Sequence, residues 1–159
     1  MTSGDYFKSI KIVHIALVAG IVFFALISVF LQFSGFGTVG QEISNGLLIF
    51  VPAFAFIGIF LSNFLFKKKL YGINVKPTLK EKMEDYRSAL IIKFALIEGP
   101  SFFTVVAFLL TGNYIYLGII AILIIVFLIH APNKSKFIHD IELSKNELEL
   151  IDNPNAEIV

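Results

Sequence analysis

Four long apolar runs leave this chain little choice of solvent. Crossing the hydrocarbon core of a bilayer takes roughly 20 helical residues. Ile10–Phe33 reads IKIVHIALVAGIVFFALISVFLQF and Leu47–Phe66 reads LLIFVPAFAFIGIFLSNFLF. Ser88–Thr111 reads SALIIKFALIEGPSFFTVVAFLLT and Tyr114–His130 reads YIYLGIIAILIIVFLIH. None shows the period-two alternation of a barrel strand. In lipid, backbone groups must be satisfied within the segment, so each run is expected to be a helix. The composition agrees, with 57% hydrophobic and 16% charged residues against about 25% charged in an ordinary soluble domain. The expected fold is an all-α polytopic membrane protein. Its transmembrane domain covers 1–131, with spans at about 10–33, 47–66, 88–111 and 114–130, and a tail follows over 132–159.

The first run is preceded by Lys8 and carries Lys11 as its second residue, which resembles the basic start of a signal peptide. Its apolar stretch is longer than such a signal needs and no small-x-small site follows, so a retained helix is expected. Charge then sets orientation. The 67–87 segment carries Lys67, Lys68, Lys69, Lys76, Lys80, Lys82 and Arg87, and the tail begins with Lys134 and Lys136. The connections Ser34–Gly46 and Gly112–Asn113 contain neither Lys nor Arg. The positive-inside rule therefore places both termini and the basic loop in the cytoplasm. Tyr6, Tyr71, Tyr86, Tyr114 and Tyr116 fall at or near span ends, where amphipathic rings meet headgroups.

Local signals mark two helix starts. Thr78 precedes Glu81 by the interval of a capping box, ahead of the third span, so that helix is expected to begin about two turns before the membrane. Ser144 and Glu147 repeat the pattern in the tail, and a short amphipathic helix is expected to run to about Asp152, before Asn153-Pro154. A helix that short is marginal alone, so it either docks, on the basic segment or on a partner, or belongs to a solvated acidic tail.

Ionisable groups inside an apolar span are the candidate functional residues. His14 lies about one turn inside the first span and His130 closes the fourth. Lys93 lies about 8 Å inside the third span, within snorkelling reach of headgroups. Glu98 lies about 15 Å in, near the midplane, too deep and too short to snorkel. An isolated carboxyl there is expected to be protonated. Gly99-Pro100 follows directly, and Pro100 should weaken the bond to the Leu96 carbonyl and kink the helix; Pro52 should do the same in the second span. Glu98 is then either a proton or ion carrier or a packing contact between helices. Ala16/Gly20, Gly58/Ser62 and Ala95/Gly99 have the small-xxx-small spacing that permits close helix approach. Lys67, Lys68 and Lys69 are topology anchors that would also attract anionic lipid.

The stretch from Arg87 through Ala95-Leu96-Ile97-Glu98-Gly99-Pro100 to Val105-Val106-Ala107-Phe108-Leu109-Leu110 resembles the carboxylate helix of rotary-ATPase c subunits. The likeness implies a mid-membrane proton-binding acid. It is confined to this helix, because the first two spans lack the glycine-repeat helix of c rings and the basic loop is longer. As a whole, the chain resembles small four-helix inner-membrane proteins of bacteria, with the Glu-Gly-Pro third helix and a short charged tail. That resemblance implies a fold and an inner-membrane location.

The chain has no cysteine, no phosphate-binding glycine loop, no HExxH and no GxSxG. The net charge of +1 offers no field for nucleic acid. No catalytic residue, cofactor or metal ligand set is expected, and the two histidines lack carboxylate or thiolate company. The expected role is an accessory or scaffold subunit of a larger inner-membrane assembly, partnered by lipid and by other subunits or further copies of itself. The alternative is a small oligomeric ion or proton transporter that uses Glu98.

Overall fold

The computed structural model describes residues 1–35 and 41–158, so the centre of the Ser34–Gly46 connection and Val159 lie outside the described residues. The described residues are helical throughout, joined by short connections: α1 (Ser3–Phe33), α2 (Gln41–Asn74), α3 (Leu79–Thr111), α4 (Ile115–Ile129), α5 (Lys134–Asp140) and α6 (Lys145–Asp152). One isolated antiparallel bridge joins Thr2 to Glu157.

The helices α1, α2 and α3 are each long and apolar enough to cross a membrane. The fourth is different. α4 has 15 residues, about 22 Å at 1.5 Å per residue, and the chain then bends by 75° into α5. Pro132 supplies the reason, since it disfavours helical geometry at Ala131. The expected span at 114–130 is thus a short helix that counts as a fourth crossing only together with its bent continuation.

α3 is the hub on which α1, α2 and α4 pack. Its buried residues accordingly lie on two stripes, Met83, Leu90, Phe94, Ser101 and Phe108 on one and Lys82, Ala89, Lys93, Pro100 and Ala107 about 100° round on the other. α2 buries a single stripe against it, through Val51, Ala55, Gly58, Ser62, Phe66 and Ile73. At Gly58 the two helices nearly touch. A Cβ there would lie 2.5 Å from Pro100 Cγ and 2.6 Å from the Leu96 oxygen. That carbonyl is the one Pro100 deprives of its helical donor, and only glycine lets α2 cover it. α3 runs unbroken through Pro100, whereas Pro52 sits on the exposed side of α2.

Much of the remaining surface is apolar and large. Phe23, Phe30, Ile49, Phe56, Phe60 and Ile122 are all well exposed. Such an area far exceeds what a monomer keeps in water, and lipid is the solvent that suits it.

Both starts marked by capping residues are present. Thr78 accepts from the Glu81 amide at the head of α3, and Ser144 and Glu147 form a reciprocal box at the head of α6, which ends at Asp152. Two features extend the sequence reading. Lys67–Asn74 continues α2 as helix, so the basic segment is a helical hairpin that turns only at 75–78. The tail also contains α5, started by Asn133, whose side chain accepts from the Lys136 amide at 2.8 Å.

The tail docks on its own chain. Phe137, Ile141, Ile151 and Ile158 are buried in one cluster with Tyr6, Met83, Tyr86 and Phe94. Lys82, 7% exposed, bridges to Glu147 at 3.0 Å and donates to the Glu142 carbonyl at 3.0 Å. Ile158 N–H donates to the Met1 carbonyl at 3.1 Å and Ser3 N–H to Ala156 at 3.2 Å. The chain's first residues, the α2–α3 turn and the tail therefore meet at one end of the bundle, called here the clasped end.

Candidate functional site

The last turn of α4 leaves carbonyls without helical donors, as every helix C-terminus does. Side chains add donors to this turn, beside the His130 N–H that reaches the Val126 and Phe127 carbonyls. His14, 2% exposed, places Nε2 2.9 Å from the Phe127 oxygen, with its ring against Phe94 and Phe127. The His130 Nδ1–H donates to Val126 at 2.7 Å. Lys136 donates to Ile129 at 2.6 Å and to Ala131 at 2.9 Å. The Lys136 ammonium also suits the negative end of the helix dipole. The two histidines thus converge on neighbouring carbonyls of one helix end and not on each other.

Beside this helix end opens a pocket of about 400 Å³. Asn63, Phe66, Lys67 and Leu70 of α2 form one wall, Tyr86, Leu90 and Lys93 of α3 another, and Ile129, His130, Pro132, Lys136, His139 and Asp140 close it. Lys93 is 8% exposed, and its Nζ sits 4.4 Å from the centroid of the Phe66 ring. Among the described residues it makes no hydrogen bond or ion pair. The one carboxylate in the pocket is engaged elsewhere. Asp140 accepts from the Tyr86 hydroxyl at 3.0 Å and lies 3.3 Å from His139 Nδ1. Burial, and then the charge of Asp140, pushes the Tyr86 hydroxyl well above the usual tyrosine range, so Tyr86 is a fixed donor. The His130 Nε2 lies 3.2 Å from Asn63 Oδ1 in the pocket wall.

The structure therefore joins Lys67, Lys93 and His130, and separates Lys67 from its neighbours. Lys68 and Lys69 line a different hollow with Lys76, Asp85 and Ser88, because successive helical residues point about 100° apart. Sequence reasoning missed Lys136, Asn63 and Asp140. The first follows the Asn133 cap, which was legible, and Asn63 stands as a polar residue in an apolar run.

Glu98 lies apart from this pocket. It is partly exposed, and Ala95 and Gly99 beside it are exposed. A Cβ at Gly99 would meet nothing within 4 Å. The Ala95/Gly99 pair thus points away from the other helices, and among the described residues no helix packs on it. Glu98 has no hydrogen-bond partner among the described residues. Ser101, one turn on, donates to its own helix at Ile97 at 2.8 Å. Of the other small pairs, Gly58/Ser62 lies in the α2–α3 contact, whereas Ala16 is exposed and Gly20 would reach only the Phe102 ring, at 3.9 Å.

No family model, curated protein or solved structure matches the chain.

Proposed function

We propose that the chain is a four-span protein of a bacterial inner membrane, with its termini and the basic hairpin in the cytoplasm, and that it serves as an accessory or scaffold subunit of a larger membrane assembly. The distribution of basic residues supports the orientation. Lys67, Lys68, Lys69, Lys76, Lys80, Lys82 and Arg87 belong to the hairpin of the clasped end, and Lys134 and Lys136 belong to the tail folded against it. The scaffold role rests on one observation: the outward stripe of α3, through Ser88, Ile92, Ala95 and Gly99, with Glu98 at its edge. Ionisable groups within a membrane almost always face a protein interior or a polar partner. A carboxyl flanked by exposed small residues is the complement of a second helix, brought close enough to share a hydrogen bond.

Purification in mild detergent followed by native mass spectrometry tests this. The expected result is a stoichiometric partner or an oligomer that Gly99→Leu dissociates, while the melting curve of the chain itself is unchanged. A clean monomer with no stoichiometric partner overturns the proposal. Glu98→Gln separates this reading from proton transport. A packing acid tolerates Gln, which still donates and accepts, whereas a carrier loses its flux in proteoliposomes.

A further inference from the structure

The pocket at the clasped end carries an excess of positive charge that the chain does not neutralise. Lys67, Lys93 and Lys136 face it, and its one carboxylate, Asp140, is bonded to Tyr86 and His139. Lys136 satisfies α4 carbonyls with two of its donors and retains a third. Lys93 is held over Phe66 with its ammonium turned to the pocket and no oxygen partner among the described residues. Holding an ammonium that far from water without an acceptor is costly, and an anion in the pocket removes the cost.

A second hollow, of about 380 Å³, shares Asn63 and Lys67 with the first. It is otherwise lined by Phe56, Ile59, Phe60 and Phe64, which run along α2 away from the clasped end. From Lys67 to Phe56 this groove extends about 16 Å at 1.5 Å per residue. A basic pocket continuous with an apolar groove on the lipid-facing side of a helix has the layout of an amphiphile. We infer that the two hollows together bind an anionic phospholipid of the surrounding leaflet. Its phosphate sits among Lys67, Lys93 and Lys136, and one acyl chain lies along Phe56, Phe60 and Phe64. A headgroup with two negative charges matches three ammonium groups and one carboxylate better than a zwitterion does. The inference rests on the pocket alone and does not depend on the scaffold role.

The test is native mass spectrometry of the full chain in detergent, titrated with dioleoyl phosphatidate and, separately, with dioleoyl phosphatidylcholine. Phosphatidate is expected to bind at least tenfold more tightly. Lys93→Met and Lys67→Met are each expected to weaken it roughly fivefold, at about 1 kcal/mol per lysine, while Lys68→Met, outside the pocket, leaves it unchanged. Lys67 is exposed, so its variant reports on binding even if Lys93→Met perturbs folding. Inorganic phosphate at millimolar concentration is expected not to displace the lipid, because it cannot use the groove, and Phe60→Ser is expected to weaken binding of the long-chain lipid. Equal binding of the two lipids, a phosphatidate preference that survives both lysine substitutions, or full displacement by inorganic phosphate would each overturn the assignment.

Discussion

At the clasped end, polar side chains reach across the structure. Lys82 on α3 holds Glu147 on α6, the Tyr6 hydroxyl on α1 donates to Met83 on α3 at 2.6 Å, and Asn74 on α2 accepts from the Glu142 amide at 3.1 Å. Along the apolar shaft the buried serine and threonine hydroxyls stay at home. Ser28, Ser62, Ser101 and Thr104 each donate to a carbonyl of their own helix. Those bonds satisfy the hydroxyl without choosing a neighbour. Register in the shaft therefore comes mainly from shape, above all from Gly58 against Leu96 and Pro100, joined by two polar contacts between helices, Gln32 of α1 to the Leu109 carbonyl of α3 and His14 of α1 to the Phe127 carbonyl of α4. At the clasped end it comes from paired charges and capped helices. The lesson is that apolar burial distinguishes helices poorly in lipid, so close approach does in the shaft what long-range polar contacts do outside it.

Three experiments would break or sharpen this contrast. The largest effect is expected from Lys82→Met. It removes the ion partner of the largely buried Glu147 carboxylate and leaves it only the Ser144 amide, and breaking a buried pair from one side destabilises by about 3 kcal/mol. Thermal unfolding in detergent should show the loss, and hydrogen exchange should place it in α5 and α6 with α2 and α3 still protected. Loss spread evenly over all the helices would mean that the two regions are not held separately. Gly58→Leu comes next, at about 2 kcal/mol for overpacking. Here protection should fall in α2 and α3 while the clasp survives. An unchanged melting curve would show that shape at this contact does not set the register.

The gentlest probe is pH. Burial alone would raise the Glu147 carboxyl, but the Ser144 amide, the Ser144 hydroxyl and Lys82 together hold it below the usual 4.5. A carboxylate depressed by folding contributes stability that is fully present above pH 4.5 and is lost as pH falls through the folded value. Exchange of the α6 amides should accelerate in that acid range, and the acceleration should be smaller in Lys82→Met, which keeps only the Ser144 contribution. Equal acceleration in both proteins would assign it to other groups.

What was legible in the sequence was local. Thr78 with Glu81 and Ser144 with Glu147 announce helix starts because cap and partner lie three residues apart. The apolar runs announce their helices because each is longer than a soluble helix needs. Glu98 stands out as a lone acid among apolar neighbours, but nothing in the spacing says which way it faces. The pocket was not legible, since Asn63, Lys93 and Lys136 come from three helices and meet only when α4 stops short at Pro132. The docking of the tail was legible only as one of two outcomes, from the shortness of the helix after Ser144, because Phe137, Ile141 and Ile151 are spread among acidic residues and do not mark the face they bury. Gly58 was visible as a small residue, whereas its partner, the carbonyl released by Pro100, lies on another helix.

The shortness of α4 has a consequence for the lipid around it. On the proposed topology, the straight part of the fourth crossing, the 15-residue α4, reaches about 22 Å through a hydrocarbon layer of about 30 Å before the chain bends into α5. The bilayer on that flank must pinch inward, or draw headgroups and water down to meet Ile129 and His130. Beside α1 and α2 it can keep its full thickness. The molecule would thus tilt the local membrane surface toward one side, and membranes of different thickness would hold it with different ease.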